Sequence, residues 1–224
     1  MKVLAIIPAR MSSSRFPGKP LKKINGTPMV EIIYKSVMKN KSLSKVVVAT
    51  CDKIIFNFIK SINGEVVMTS KKHTRASDRT AEALLKCEKK FKKKFDVIVD
   101  LDVTSPLRSV DDINNAVNLL NEQNASNVIT GVPARRSPYF NMVELDNNGI
   151  ARLSKPPKDK FFRRQDSPQC YDMNASIYVW NRKCLLESDS IWNEQTRLYL
   201  MSEEVMDIDS LVDFEIVELL MNRK

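Results

Sequence analysis

Along the chain, short runs of β-branched and other apolar residues alternate with longer stretches in which apolar positions recur every three or four residues. Val3–Ile7, Val46–Ala49, Val66–Met68, Val97–Leu101 and Val128–Val132 are continuously apolar enough to predict strands buried on both faces. The stretches 27–40, 52–62, 77–92 and 110–123 between them carry the helical spacing. Alternation of this kind predicts an α/β fold of βαβ units with right-handed crossovers and a mostly parallel central sheet. Ligands of such sheets bind beyond the carboxyl ends of the strands. The loops after Ala9, Thr50, Thr69 and Leu101 therefore form the expected functional edge.

From about residue 133 the rhythm changes. Met142 to Leu153 alternates apolar and polar positions around Asn148-Gly149, which predicts a β-hairpin rather than a further βαβ unit. An insertion spanning about 138–170 could reach a partner subunit. Lys155 to Pro168, rich in Pro, Lys, Arg and Asp, reads as a loop, Ala175–Trp180 as a strand, and Leu211 to Met221 as a closing amphipathic helix. With neither an internal repeat nor a linker, residues 1–224 read as one domain.

Composition narrows the classes. Hydrophobic residues make up 43% and charged residues 28% of 224, enough to bury one core and far from the regime of disorder. The net charge of +9 invites a nucleic-acid reading, but much of it lies in Lys86 to Lys94, where it alternates with Cys87, Glu88 and Phe91 as on a solvated helix face. No nucleic-acid partner is expected. The four cysteines contain no CxxC pair, so they read as reduced and uninvolved in zinc or redox chemistry. The short apolar run before Pro8 is no signal peptide, and no run approaches 18 apolar residues. The expectation is a cytoplasmic protein with no membrane partner.

The chemistry concentrates beyond the first strand. Pro8-Ala9-Arg10-Met11-Ser12-Ser13-Ser14-Arg15-Phe16-Pro17-Gly18-Lys19-Pro20-Leu21 mixes three cations with three consecutive hydroxyls. A triphosphate needs hydroxyl and backbone donors, Arg forks and a Lys point charge. Only five glycines occur in the chain, and the dinucleotide and P-loop glycine patterns are both absent, so phosphate binding must rest on side-chain cations. Read blandly, the loop is a polar surface turn. Its pattern IIPAR-x-x-S-x-R-x-P-G-K-P-L, however, resembles the nucleotide-binding signature of the sugar-acid cytidylyltransferases, most closely their 3-deoxy-manno-octulosonate (KDO) branch. That resemblance implies that Arg10, Ser13, Arg15 and Lys19 grip the phosphates of CTP, with Ala9 near the base.

Further strings extend the resemblance. Thr69 to Glu82 follows the third strand and opens a helix, with Ser77 the expected N-cap and Asp78 in the first turn. It is similar to the H-x-S-G-T-E-R-x-A-E segment of the KDO enzymes, implying that Arg75, Ser77 and Arg79 lie beside the nucleotide. His73, the only histidine, reads as a structural hydrogen-bonder. Thr104-Ser105-Pro106-Leu107-Arg108 looks like the acylneuraminate branch, but Asp102 stands where both branches carry Gln, and Thr104 where the KDO branch has an acid. A carboxylate at 102 facing an anionic sugar is repulsive unless it meets Mg²⁺ or a hydroxyl or amino group. Arg163 to Tyr178, in bland terms a turn entering a sheet, resembles the acylneuraminate motif R-Q-x-x-P-x-x-Y-x-x-N-G-A-I-Y. It implies that Arg164, Gln165 and Asn174 hold the sugar acid, with Tyr171 and Tyr178 lining the pocket. Ala175 replaces the usual Gly of this motif, which reads as a mild change.

Met206-Asp207-Ile208-Asp209-Ser210 precedes the last helix and can be read locally as a helix cap with acidic neighbours. Its similarity to the family's D-I-D-x-x-x-D-F motif favours a pair of Mg²⁺ ligands, Asp207 and Asp209, which an extended segment places on one side. The resemblance runs from residue 3 to about 220. It implies a Rossmann-like nucleotide-diphospho-sugar transferase fold with an inserted dimerisation hairpin, a homodimer, and Mg²⁺-dependent transfer of CMP from CTP to an acidic keto-sugar. Arg10, Lys19, Asp207 and Asp209 are its catalytic group. The first eighty residues favour KDO as the sugar, and residues 100–220 a nonulosonic acid of the sialic, legionaminic or pseudaminic type. The latter is the primary expectation. The alternatives are a KDO enzyme, an enzyme for sugar 1-phosphates, and a non-catalytic nucleotide- or RNA-binding module.

Overall fold

The computed structural model describes residues 1–12, 16–73, 75–157, 163–201 and 206–223. Its elements in chain order are β1 (Val3–Ala9), β2 (Lys23–Ile24), β3 (Thr27–Pro28), α1 (Met29–Met38), β4 (Lys45–Thr50), α2 (Lys53–Ser61), β5 (Val66–Met68), α3 (Ala76–Phe91) and β6 (Val97–Leu101). Then follow α4 (Val110–Glu122), β7 (Asn127–Pro133), β8 (Val143–Leu145), β9 (Ala151–Leu153), β10 (Tyr171–Asn181), α5 (Arg182–Glu187), β11 (Thr196–Leu200) and α6 (Leu211–Met221). Each strand and helix predicted from apolar spacing is present within a few residues of its expected bounds.

Seven strands form one sheet in the order β11-β7-β10-β6-β1-β4-β5. All pairings are parallel except those of β10, which runs antiparallel between β6 and β7. Strand periodicity divides the core. Val3, Ala5 and Ile7 of β1 face Ile33 and Val37 of α1, Ile55 and Ile59 of α2, and Ile113 and Leu120 of α4. Leu4 and Ile6 point the other way, to Ala83, Leu84 and Cys87 of α3 and Leu185 of α5. Helices thus cover both faces, and each fully buried aliphatic side chain contributes about 1.5–3 kcal/mol.

Helix ends show where local chemistry was misjudged. The N-cap of α3 is Arg75, whose side chain turns back to Asp78 at 2.6 Å, and Ser77 sits inside the first turn, so the expected Ser77 cap is corrected. Capping boxes are formed instead by Ser109 with Asp112 on α4 and by Ser210 with Asp213 on α6. Helix α6 is apolar nearly all round, not amphipathic. Val217 is fully buried, while Leu211, Val212 and Leu219 are more than half exposed. The expected hairpin is β8 paired antiparallel with β9. Its five-residue connection is organised by Asp146, whose Oδ1 accepts from the amides of Asn148 and Ile150, with Gly149 at φ 77°. The chain after the hairpin, expected as a loop, contains a short 3-10 turn at Arg164–Asp166.

Candidate active site

The carboxyl ends of β1 and β6, the amino end of α3, the bulged middle of β10 and the segment before α6 surround one cavity of about 820 Å³. The loop beyond β1 is closed at its base by a hydrogen bond from the Gly18 amide to the Met11 carbonyl (3.1 Å). Met11 in turn donates its own amide to Asp52 Oδ2 (2.9 Å). Gly18 at φ 71° makes this reversal and starts a 3-10 turn over Lys19–Leu21, with Pro20 buried. Lys19 is thereby aimed into the cavity, where Nζ donates to Asp209 Oδ1 and to the Ile208 carbonyl, both at 3.1 Å.

The segment carrying Asp207 and Asp209 is anchored between them. Ile208 is fully buried against Ile24, Met29 and Val217, and its amide donates to the Thr104 carbonyl (3.0 Å). Both aspartates line the cavity. Burial raises the Asp207 carboxyl above its ordinary range against a hydrogen bond from Thr104, and the charges of Asp102 and Asp209 add to the rise. Its Oδ1 is buried with no hydrogen-bond partner among the described residues. A buried carboxylate oxygen of this kind suits a hard cation, and Mg²⁺ is typically held by one or two carboxylates together with substrate phosphates. Among the described residues no group of three or more His, Cys, Asp or Glu could hold a metal. The donor set accordingly fits a metal completed by a phosphate-bearing substrate.

Arg10 and Arg79 line the same cavity as these acids. Arg10 is exposed. Arg79 is 6% exposed, and its Nε is buried without a hydrogen-bond partner among the described residues. At the end of β6, Asp100 is enclosed, accepts from the Thr80 hydroxyl, and is pushed by burial up to about 7. Asp102 Oδ1 accepts from the amide and hydroxyl of Thr104, both at 2.9 Å. Tyr178 lines the same wall, its phenol raised to about 12 by burial and by the nearby Asp100, Asp102 and Asp207.

Of the residues singled out in the sequence, Arg10, Lys19, Arg79, Asp102, Tyr178, Asp207 and Asp209 thus line one cavity. Ala9 is buried at the end of β1, and Asn174 is not among the lining residues, its Oδ1 accepting from Thr130 Oγ1 (2.7 Å). Arg75 is paired with Asp78, and Ser77 is half-buried on α3; neither is among the residues around the cavity. Gln165 lines a separate hollow with Arg136 and Ser167, and Tyr171 an apolar groove with Met173 and Trp192. Ser13, Arg15 and the Arg164 side chain lie outside the described residues. His73 bonds to Glu82 at 2.6 Å, away from the cavity.

Sequence reasoning passed over three contributors. Asp100, which apolar spacing shows only as part of a buried strand, stands at the cavity wall. Arg108 is 6% exposed and ties the end of β6 to β10 by donating to the carbonyls of Asp102 (2.6 Å) and Ser176. Ala175 lines the cavity with φ 52°, in the left-handed region that favours glycine, so its replacement of Gly is not the mild change it looked. The acidic string Asp100-Leu101-Asp102 was the available signal for the first and the Ala in place of the motif's Gly for the third; the role of Arg108 depends on its bond to the distant strand β10.

The sequence model of the cytidylyltransferase family matches residues 4–215. The chain belongs to that family. This cytidylyltransferase is 40% identical over 230 residues to the CMP-N,N'-diacetyllegionaminic acid synthase of Campylobacter jejuni, covering 100% of this chain and 96% of that one. It is 37% identical over 230 residues to the post-translational flagellin modification protein B of Campylobacter coli, with the same coverage. To a 3-deoxy-manno-octulosonate cytidylyltransferase of Fusobacterium nucleatum it is 39% identical over 227 residues, covering 97% of this chain and 85% of the relative. Its fold is that of CMP:2-keto-3-deoxy-manno-octonic acid synthetase complexed with CTP, at a TM-score of 0.76 and 21% identity over 100% and 99% of the two chains. Like other cytidylyltransferases it is a nucleotidyltransferase, and its cavity sits at the strand ends where this architecture binds ligands.

Proposed function

We propose that the chain transfers CMP from CTP to a nonulosonic acid of the legionaminic type, releasing pyrophosphate, with Mg²⁺ held by Asp207 and Asp209. The observation that carries this reading is the convergence of Arg10, Lys19 and Arg79 with Asp207 and Asp209 in one cavity. The high identity over full length to a CMP-N,N'-diacetyllegionaminic acid synthase supports the choice of acid.

The anomeric hydroxyl of the acid attacks the α-phosphorus of CTP in line. A sugar–oxygen-to-phosphorus bond forms, the bond to the pyrophosphate oxygen breaks, and the hydroxyl proton passes to solvent. Bound Mg²⁺ supplies Lewis-acid neutralisation of phosphate charge. Arg10 and Lys19 neutralise the departing pyrophosphate, and Arg79, largely buried, orients a phosphate oxygen. The amino end of α3, which lines the cavity at Ala76, adds the positive end of a helix dipole. Asp102 and Tyr178 mark the sugar side, with Asp102 accepting from a hydroxyl or amino group of the acid.

A homodimer completes the proposal. Met142, Val143, Leu145 and Ile150 of the hairpin, together with Tyr171, Met173 and Trp192, present exposed apolar surface that a second copy would cover. The described helices include none long and apolar enough to cross a membrane. A cytoplasmic setting agrees with CTP as substrate.

The test is pyrophosphate release from CTP and Mg²⁺ with N,N'-diacetyllegionaminic, N-acetylneuraminic, pseudaminic and KDO acids offered singly. Release with a nine-carbon acid is expected. Release with KDO alone would replace the substrate assignment, and release with none would remove it.

A further inference from the structure

Five non-glycine residues among those described have positive φ: Asn25, Asn63, Lys92, Asn124 and Ala175. Asn25 turns the tip between β2 and β3, and the next three follow the ends of α2, α3 and α4, where left-handed closure is ordinary. Three of the five are Asn, whose short polar side chain tolerates the conformation. Ala175 differs in both respects. It lies inside β10, where the register against β7 is interrupted between Met173 and Tyr178, and it lines the cavity.

Its neighbours over-determine the conformation. Asn174 Oδ1 accepts from Thr130 Oγ1 (2.7 Å) and from the Ser176 amide (3.2 Å), and the Ile177 amide donates to Thr130 Oγ1 (3.1 Å). The Ser176 carbonyl accepts from the Asp102 amide (3.2 Å) and from Arg108. None of these bonds needs a side chain at 175. Glycine would take this geometry more readily, so the one thing alanine adds is a methyl group in the wall of the cavity.

We propose that Ala175 sets sugar-acid selectivity, its methyl forming the apolar spot against which a deoxy carbon or an acyl methyl of the acid packs. The inference rests on the sugar-acid reading above. Asp102, Asp207 and Asp209 make the surrounding wall anionic, so the acid's own carboxylate is turned away from it and its neutral portion lies against β10. There Asp102 reads a hydroxyl or amino group, and the methyl of Ala175 reads an adjacent carbon lacking one.

Two variants test it. Ala175→Gly should melt at least about 2 °C higher, because the backbone is relieved. It should bind CTP as before and lose roughly ten-fold or more of the kcat/KM ratio between the preferred acid and its competitors, the scale of one methyl group in a pocket. Ala175→Asn keeps a residue suited to positive φ but fills the space, and should lower kcat/KM for the acid by at least about 100-fold with CTP binding intact. A merely structural role would move the melting temperature and leave the ratio between acids alone. An active wild type whose ratio is unmoved in Ala175→Gly, or an Ala175→Asn variant at full turnover, overturns this inference alone. A wild type inert toward every acid overturns the parent reading and this inference with it.

Discussion

The proposed mechanism gives Asp209 two tasks. Its carboxylate pairs with Lys19 at 3.1 Å, and in that mechanism it would also help hold Mg²⁺ while Lys19 meets the phosphates. Asp209→Asn keeps the shape and removes the charge. Turnover should fall nearly to background with CTP affinity largely retained, measured by pyrophosphate release and calorimetry; unimpaired turnover would sink the metal assignment. Asp100 carries a different liability. Its folded pKa of about 7 lies above the ordinary carboxylate value, so the folded state holds more protons between roughly pH 4 and 7 and stability falls as pH rises through that window. Asp100→Asn preserves the acceptor for Thr80. In metal-free buffer, urea titrations should show the variant gaining on wild type from pH 5 to pH 8; a constant difference would contradict the burial of a charge there.

The connection from β5 into α3 illustrates how an element is positioned. Glu82, on α3, accepts from the Ser70 amide at 2.7 Å, bonds His73 at 2.6 Å and pairs with Lys86 at 2.7 Å. Burial alone would raise its pKa, but Lys86, the Ser70 amide and His73 outweigh it and bring the value to about 2. A depressed carboxylate stabilises the fold above its unfolded pKa of about 4.3 and loses that contribution as pH falls toward 2. Glu82→Gln should therefore be less stable than wild type at pH 7, by urea denaturation, with the gap narrowing toward pH 2.5. A gap independent of pH would mean that packing, not charge, holds the loop. Since Arg79 lies one turn before Glu82 on the same helix, the variant should also loosen CTP binding.

For the whole molecule, the exposed apolar surface is where the proposed dimer would form. Leu145 is 71% exposed at the hairpin, and Trp192 is 62% exposed beside the groove lined by Tyr171 and Met173. Leu145→Asp should shift the protein from dimer toward monomer in sedimentation velocity while each subunit stays folded. A wild type that sediments as a monomer at micromolar concentration would remove the dimer. The basic charge has a simpler place. Lys89, Lys90 and Lys92 to Lys94 lie at the far end of α3 from Arg79, so the excess of cations stands apart from the cavity, where acids and bases are mixed.

Local pattern was enough for the central strands, the hairpin, the long helices and the chemical character of the loops, because apolar periodicity reports which faces are buried and the motif strings are contiguous; it passed over the half-buried edge strand β11 and the short α5, which carry too little periodicity to read. It also placed Asp207 and Asp209 on one side, since alternation in an extended segment is a local property. Tertiary structure alone decided that β10 enters the sheet antiparallel between β6 and β7, which brings Tyr178 and Ala175 against Asp100 and Asp102. It alone showed that Ala175 is strained, that Arg108 braces two strands and that α6 leaves apolar residues uncovered. Each of these depends on segments far apart in the chain meeting in space, and no local periodicity encodes which segments will meet.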